Sequence, residues 1–254
     1  MKTKVQNLQG KEIKDIDLPK AFSEEVRPDL IKRAVLSLQS SRRQDYGASL
    51  RAGMDYSAKL SRRRKKYRGG YGRSMSRIPR KVMLRRGTQF VYTGAVVSGT
   101  VGGRRAHPPK AEKDLGQAIN KRENRKAIRS AIAATAEKKP IVIEKLESLS
   151  KSKDAISLFT KLGLEKEVER GSNKKVRPGK GTLRGRKYRK SKGILVVVSN
   201  ESAISKACRN LAGFDISNVN SLNAELLAPG AVPGRLTVWS LDAIEKMKKE
   251  KLFE

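Results

Sequence analysis

The chain of 254 residues holds one cysteine, Cys208, and one histidine, His107. A lone cysteine excludes an internal disulfide and a cysteine-based zinc site, and it fits a reducing compartment. Cys208 falls in a helical pattern with Ala203, Ile204 and Ala207, so it reads as a small buried residue and not a nucleophile. With a single histidine, any Ser-His-Asp arrangement would be built on Ala106-His107-Pro108-Pro109. That segment is rigid and borders a basic tract, so His107 reads as packing or touching phosphate. Long hydrophobic runs are missing too. The longest aliphatic run, residues 194–198, is far short of the roughly 20 apolar residues that span a bilayer. The opening residues, Met1-Lys2-Thr3-Lys4-Val5, have no apolar core and form no secretory signal. Neither an amphipathic anchor nor a lipidation motif is present. A soluble, cytoplasmic protein with no membrane partner is expected.

Acidic residues are absent from two whole stretches. Residues 56–111 carry 16 Lys or Arg and no Asp or Glu, and residues 170–200 carry 11 more, again without an acid. The chain has a formal charge of +33, yet the 167 residues outside these stretches carry only +6. A dense tract of one sign repels itself until a polyanion neutralises it, so nucleic acid is the expected partner. The same absence argues against a metal-dependent nuclease, which needs carboxylates beside the bound phosphate. Phosphate-cradling loops are missing as well. Gly69-Gly70-Tyr71-Gly72 runs on into Arg73-Ser74-Met75 and does not complete G-x-G-x-x-G. The segment Gly179-Lys180-Gly181-Thr182-Leu183-Arg184-Gly185 misses by one residue and precedes a strand, and Lys180 is followed by Gly181 where a P-loop has Ser or Thr. No cofactor and no enzymatic activity are expected.

What is present is an alternation of helix and strand signals. Short strands are expected around Val5 and at residues 13–16, with a turn ending at Gly10 and a stop at Pro19. Pro28 opens a helix carrying Leu30, Ile31, Ala34, Val35 and Leu38 on one face. Asn120 and Glu123 have the spacing of a capping box before a small-residue stripe of Ala127, Ile128, Ala131, Ile132 and Thr135. A buried strand at 141–143 follows Pro140, and Ile156, Phe159 and Leu162 mark a helix closed by Gly163. A strand at 194–198, a helix near 202–211, a short turn of structure near 221–227, a strand at 236–240 and a last helix from Leu241 complete the pattern. Trp239 reads as core, and Arg33, Arg129 and the Lys-rich last helix read as a solvated face. The fold class is therefore α/β: a three-layer body with a small parallel or mixed sheet flanked by helices. Residues 1–55 and 112–254 form that body. Residues 56–111 form a long extended basic loop inserted in it, and residues 170–193 a second basic loop.

The first loop has eight glycines between Gly69 and Gly103 and few apolar pairs at helical spacing, so it is expected to order only on its partner. Its contour could reach about 190 Å, against a radius of gyration of about 16 Å for the body. Tyr56, Tyr67, Tyr71, Phe90 and Tyr92 interleave with its charges, and Tyr188 with those of the second tract. Aromatics beside Arg suit unstacked RNA bases. The RNA-binding candidates are Arg42, Arg43 and Tyr46 at the end of the first helix. In the first tract they are Arg62, Arg63, Arg64, Lys65, Lys66, Tyr67, Arg68, Arg73, Arg77, Arg80, Lys81, Arg85, Arg86, Arg104, Arg105, His107 and Lys110. In the second they are Lys174, Lys175, Arg177, Lys180, Arg184, Arg186, Lys187, Tyr188, Arg189 and Lys190. Two other readings stand beside this one: a free RNA chaperone, and an α/β enzyme whose basic loops steer an anionic substrate.

Several strings are recognisable in order. They are Arg43-Gln44-Asp45-Tyr46-Gly47, then Gly103-Arg104-Arg105-Ala106-His107-Pro108-Pro109-Lys110, then Arg129-Ser130-Ala131-Ile132-Ala133-Ala134-Thr135-Ala136. Arg184-Gly185-Arg186-Lys187-Tyr188-Arg189 follows, and Leu227-Ala228-Pro229-Gly230 leads into Pro233-Gly234-Arg235-Leu236-Thr237-Val238-Trp239. Over essentially its whole length the chain resembles the large-subunit ribosomal protein four family in its archaeal and eukaryotic branch. Without the long C-terminal extension of the eukaryotic members, it looks archaeal. The resemblance implies an α/β body on the large ribosomal subunit, several segments of large-subunit rRNA as partners, neighbouring large-subunit proteins, and an early role in assembly. It also implies a loop tip beside the nascent peptide in the exit tunnel, here Arg68, Gly69, Gly70, Tyr71, Gly72 and Arg73. No homo-oligomer is expected.

Overall fold

The computed structural model describes residues 1–65, 70–137, 140–200 and 202–253. Among the candidate residues, Lys66, Tyr67, Arg68 and Gly69 lie outside the described residues. The elements run β1 (Lys2–Gln6), β2 (Glu12–Asp17), α1 (Pro28–Ser41), β3 (Arg80–Arg86), β4 (Gln89–Gly94), α2 (Lys121–Ala136), β5 (Ile141–Ile143) and α3 (Ser152–Lys161). They continue with α4 (Glu165–Ser172), β6 (Lys174–Val176), β7 (Tyr188–Lys190), β8 (Leu195–Val198), α5 (Ala203–Arg209), β9 (Asp215–Asn218), α6 (Ala224–Leu227), β10 (Thr237–Ser240) and α7 (Leu241–Lys249). The chain divides into two compact units, residues 1–42 with 116–254, and residues 43–115.

The first unit is built on a six-stranded mixed sheet in the order β2-β1-β5-β10-β8-β9. Only β1 and β2 pair antiparallel; the four other pairings are parallel. Side chains alternate across a strand with period two, and the sequence exploits both faces. Val5, Val142, Leu195, Val197 and Trp239 point into one apolar cluster with α1, α2 and α7. Ile143, Val196, Val198 and Val238 point into the other, with α3 and α5. Helices on both faces of a mostly parallel sheet make the three-layer α/β body that the alternation of signals implies. Trp239 is fully buried, with its ring 5.0 Å from that of Phe22 in a T-shaped pair. Cys208 is likewise buried, and burial pushes its thiol up to about 12, out of reach of nucleophilic chemistry at neutral pH.

Local signals explain the helix starts. Asn120 and Glu123 form the expected capping box of α2. Pro28 sits at the start of α1. The Ser240 side chain accepts the Ala243 amide and so caps α7 directly at the end of β10. The same hydroxyl donates to Glu147, which also takes the Ser199 amide at 2.6 Å and the Ser199 hydroxyl at 2.8 Å. One carboxylate thus ties together the C-terminal ends of β8 and β10.

Some expectations differ from the structure in informative ways. Arg129 is not a solvated side chain. It is half-buried, lies 3.3 Å from Glu24, and donates to the Phe253 carbonyl at 2.8 Å. Helix α3 buries Ala155, Leu158 and Phe159, and leaves Ile156 exposed; Phe159 draws the buried face round by packing on Phe214 with centroids 4.9 Å apart. The highly charged helix α4 and the edge strand β9 have no counterpart in the apolar pattern.

The second unit holds a hairpin, β3 with β4, inside the segment expected as an extended loop. Cross-strand pairs supply its apolar contacts: Val82 faces Tyr92 and Leu84 faces Val91. Such pairs stabilise a ladder by about 0.2–1 kcal/mol each, which a search at helical spacing does not detect. Toward its two ends the unit is held by main chain. The Ala48 amide donates to the Pro109 carbonyl at 3.0 Å, so residues 46–48 run beside 107–111. Gly47 is required there, because a Cβ would meet the Ala111 nitrogen at 2.6 Å.

Ser130 gives a direct test of the packing. Its hydroxyl is fully buried, accepts the Arg27 amide and donates to the Glu25 carbonyl at 3.0 Å. Ser130→Ala leaves both backbone groups without a partner and should lower stability by about 1–3 kcal/mol, read by denaturant unfolding of the purified chain.

Candidate nucleic-acid interface

The second basic tract folds as a hairpin whose six strand residues are all exposed. Its register sets Lys174 opposite Lys190, Lys175 opposite Arg189 and Val176 opposite Tyr188. Directly opposed like charges destabilise a ladder, and among the described residues no carboxylate pairs with a cation of either strand or of the turn between them. The ammonium groups of Lys174 and Lys187 stand 5.0 and 5.5 Å from the Tyr188 ring. Arg177 is turned inward along the hairpin: its amide donates to the Lys187 carbonyl and its Nε to the Arg186 carbonyl. Lys180, Arg184 and Arg186 are exposed in the turn.

The root of this hairpin is fixed to the sheet. Arg235, almost fully buried, donates to the carbonyls of Gly193 and Leu226, both at 2.8 Å, and to Asp215 at 2.7 Å. Lys192 joins the same carboxylate at 3.0 Å. Burial pushes the Asp215 carboxyl up, but the bonds from Lys192 and Arg235 outweigh it and hold the group below the ordinary carboxylate range. Beside them the Gly193 amide donates to the Gly213 carbonyl at 2.8 Å. Gly213 has φ +82°, and a Cβ there would meet the Gly171 Cα at 2.6 Å. Arg235 lies in one of the family-like strings; Asp215 and Lys192 carry no signal in the sequence that singles them out.

In the unit of residues 43–115, cations sit on aromatic rings throughout. The guanidiniums of Arg64 and Arg77 both lie 5.1 Å from the centre of the Tyr71 ring, and Arg85 lies 5.3 Å from that of Phe90. The Lys81 ammonium is 3.8 Å from the Tyr56 ring, and the Arg43 guanidinium 6.0 Å from that of Tyr46. Such contacts hold a cation without neutralising it, so its charge stays available to phosphate. Arg62, Arg63, Lys65, Arg73, Arg86 and Arg104 are exposed. Tyr46, Arg105, His107 and Lys110, up to 64 positions apart in sequence, line one cleft.

Besides Arg177, and Arg85, whose Nε donates to the Gly87 carbonyl, two more candidates are engaged within the protein. Arg80 is buried: its guanidinium donates to the Ser76 carbonyl at 2.6 Å and lies 5.8 Å from the Tyr92 ring. It organises the segment that leads into β3. Arg42 pairs with Glu225 at 2.6 Å. Of the expected tip, Gly70 is buried, Tyr71 is covered in part by Arg64 and Arg77, and Gly72 and Arg73 are exposed.

An α/β body bearing an acid-free, fully exposed cationic ladder belongs to the class of polyanion-binding proteins. The comparison with known sequences narrows that class. The pattern of the ribosomal protein L4/L1 family matches residues 16–250. The chain is 47% identical to the large ribosomal subunit protein uL4 of Nanoarchaeum equitans, with all of both chains covered. It is 45% identical to the uL4 of Archaeoglobus fulgidus, over 96% of this chain and 97% of that one. It is also 45% identical to the uL4 of Methanocaldococcus jannaschii, over 98% and 99%. The chain therefore belongs to the ribosomal protein L4/L1 family, in its archaeal branch, and is a structural, non-enzymatic constituent of the ribosome.

The Asp215 anchor predicts a pH dependence. A carboxyl whose folded value is depressed adds stability that is fully present above its unfolded value of about 4 and is lost as the pH falls through the folded value. Measured against the intrinsic rate at each pH, hydrogen exchange at the Gly193 amide should therefore be strongly retarded at neutral pH and lose that protection below about pH 4. Asp215→Asn should make it fast at every pH while the amides of β10 stay protected.

Proposed function

We propose that the chain sits in the large ribosomal subunit and binds large-subunit rRNA through two basic elements, the β6–β7 hairpin and the unit of residues 43–115. The observation that carries this reading is the β6–β7 ladder, where Lys faces Lys and Lys faces Arg with no acid to relieve them. A surface of that kind is favourable only against a polyanion. Phosphates from rRNA segments that repel one another are neutralised by Lys175, Lys180, Arg184 and Arg189 on one hairpin. Arg62, Arg63, Arg86 and Arg104 do the same in the other unit. Arg supplies a planar fork for phosphate and a flat face for bases. Binding several rRNA segments at once gives the protein a role early in subunit assembly. The expected tip, of which Gly72 and Arg73 are exposed, lines the exit tunnel beside the nascent peptide. Neighbouring large-subunit proteins complete the surroundings, in the cytoplasm.

High-salt sedimentation separates this reading from a free RNA chaperone using the same cations. A subunit protein stays with large subunits through the wash; release into the supernatant would favour the chaperone. Binding to large-subunit rRNA should fall steeply with salt, because each phosphate contact adds roughly 0.7–0.9 to the log–log slope. Replacing Lys175 and Arg189 together by Ala should reduce that slope by about 1.4–1.8 if both touch phosphate. An unchanged slope would remove the hairpin from the interface.

A further inference from the structure

The cleft in the unit of residues 43–115 is lined by two rings, three cations and one carboxylate. Tyr46 and His107 are the rings, Arg105, Lys110 and Lys113 the cations, and Glu112 the carboxylate. Tyr46 is 57% exposed, with the Arg43 guanidinium 6.0 Å from its ring centre, which leaves ring surface open to a stacking partner. Glu112 is the first acid after the acid-free tract. Although three cations line the same cleft, none of them forms an ion pair with it, and among the described residues it makes no hydrogen bond. The main-chain bond from Ala48 to Pro109 and the tight approach at Gly47 hold the two walls in register.

For phosphate alone this lining is poorly chosen, because a free carboxylate repels it. For a whole nucleotide it is well chosen. Rings stack on a base that has left its helix, at about 1–3 kcal/mol per base. Cations take the flanking phosphates. An ionised carboxylate only accepts, through two oxygens side by side. Of the four RNA bases only guanine offers two adjacent N–H donors, N1–H and N2–H, on its Watson–Crick edge. We propose that the cleft binds one unstacked guanine of the rRNA, with the base against Tyr46 and His107 and its N1–H and N2–H donating to Glu112. The inference rests on the rRNA-binding reading above and adds a base-specific site to what is otherwise backbone neutralisation.

Kethoxal, which reacts at N1 and N2 of unpaired guanine, provides the test in intact large subunits. In subunits carrying the natural chain, one guanine near this cleft should be protected. In subunits carrying Glu112→Ala its reactivity should rise about tenfold, the loss expected for a hydrogen bond to a charged group, and Tyr46→Leu should expose the same guanine. Ultraviolet crosslinking of natural subunits needs no variant and should join Tyr46 or His107 to a guanine. Crosslinks from these rings to other bases only would overturn the inference. So would subunits that contain the variants, and keep their crosslinks from β6–β7 to rRNA, yet show no change at any guanine. Loss of every rRNA crosslink, including those from β6–β7 in the natural chain, would instead overturn the rRNA-binding reading itself.

Discussion

Like charges held side by side without a counter-charge set the terms for this protein. Two unit charges about 5 Å apart repel by about 0.8 kcal/mol in bulk water, and the β6–β7 ladder sets two like-charged pairs opposite each other in succession. Most of the 27 cations of the two acid-free stretches face the same condition in sequence, while Arg170 and Lys192 are relieved by Glu167 and Asp215. Tracts of that composition are pushed apart by their own charge. Their folded geometry depends on what is attached at their roots and on what arrives to neutralise them.

The roots are built from ordinary interactions placed with economy. A single carboxylate, Asp215, takes both Lys192 and Arg235, and Arg235 spends its other donors on the carbonyls of Gly193 and Leu226. Breaking one member leaves a buried charge without its partner, the costly direction for such a group. The edge strand β9 supplies the acid and the neighbouring strand β8 begins at the hairpin's end, so the apolar sheet lends its rigidity to the basic ladder. In the other unit the cations rest on Tyr71, Tyr56 and Phe90, which orders them without consuming their charge.

Much of the body was legible in the sequence because its signals are local. The strands at 141–143, 195–198 and 237–240 are short apolar runs. The capping box at Asn120 and Glu123 needs only four residues to be recognised. The charge asymmetry that points to a polyanion is a matter of counting. What was not legible depends on pairs that only the fold brings together. Helix α4 is stabilised by packing Leu164 and Val168 on one side of an otherwise charged segment. Strand β9 is polar, and its place at the sheet edge comes from pairing with β8. The β3–β4 hairpin owes its apolar contacts to register across two strands. Arg80 looks like every other arginine in the tract until the Ser76 carbonyl and the Tyr92 ring engage it.

Hydrogen exchange of the free chain, compared with the chain bound to large-subunit rRNA, tests the central claim most directly. The sheet amides of β5, β8 and β10 should be protected in both states. The amides of the β6–β7 and β3–β4 ladders should exchange rapidly in the free chain at low salt and become protected on RNA. Ladder amides as protected as those of β8 in the free chain at low salt would contradict it, because the hairpins would then be stable without a polyanion to relieve their charge.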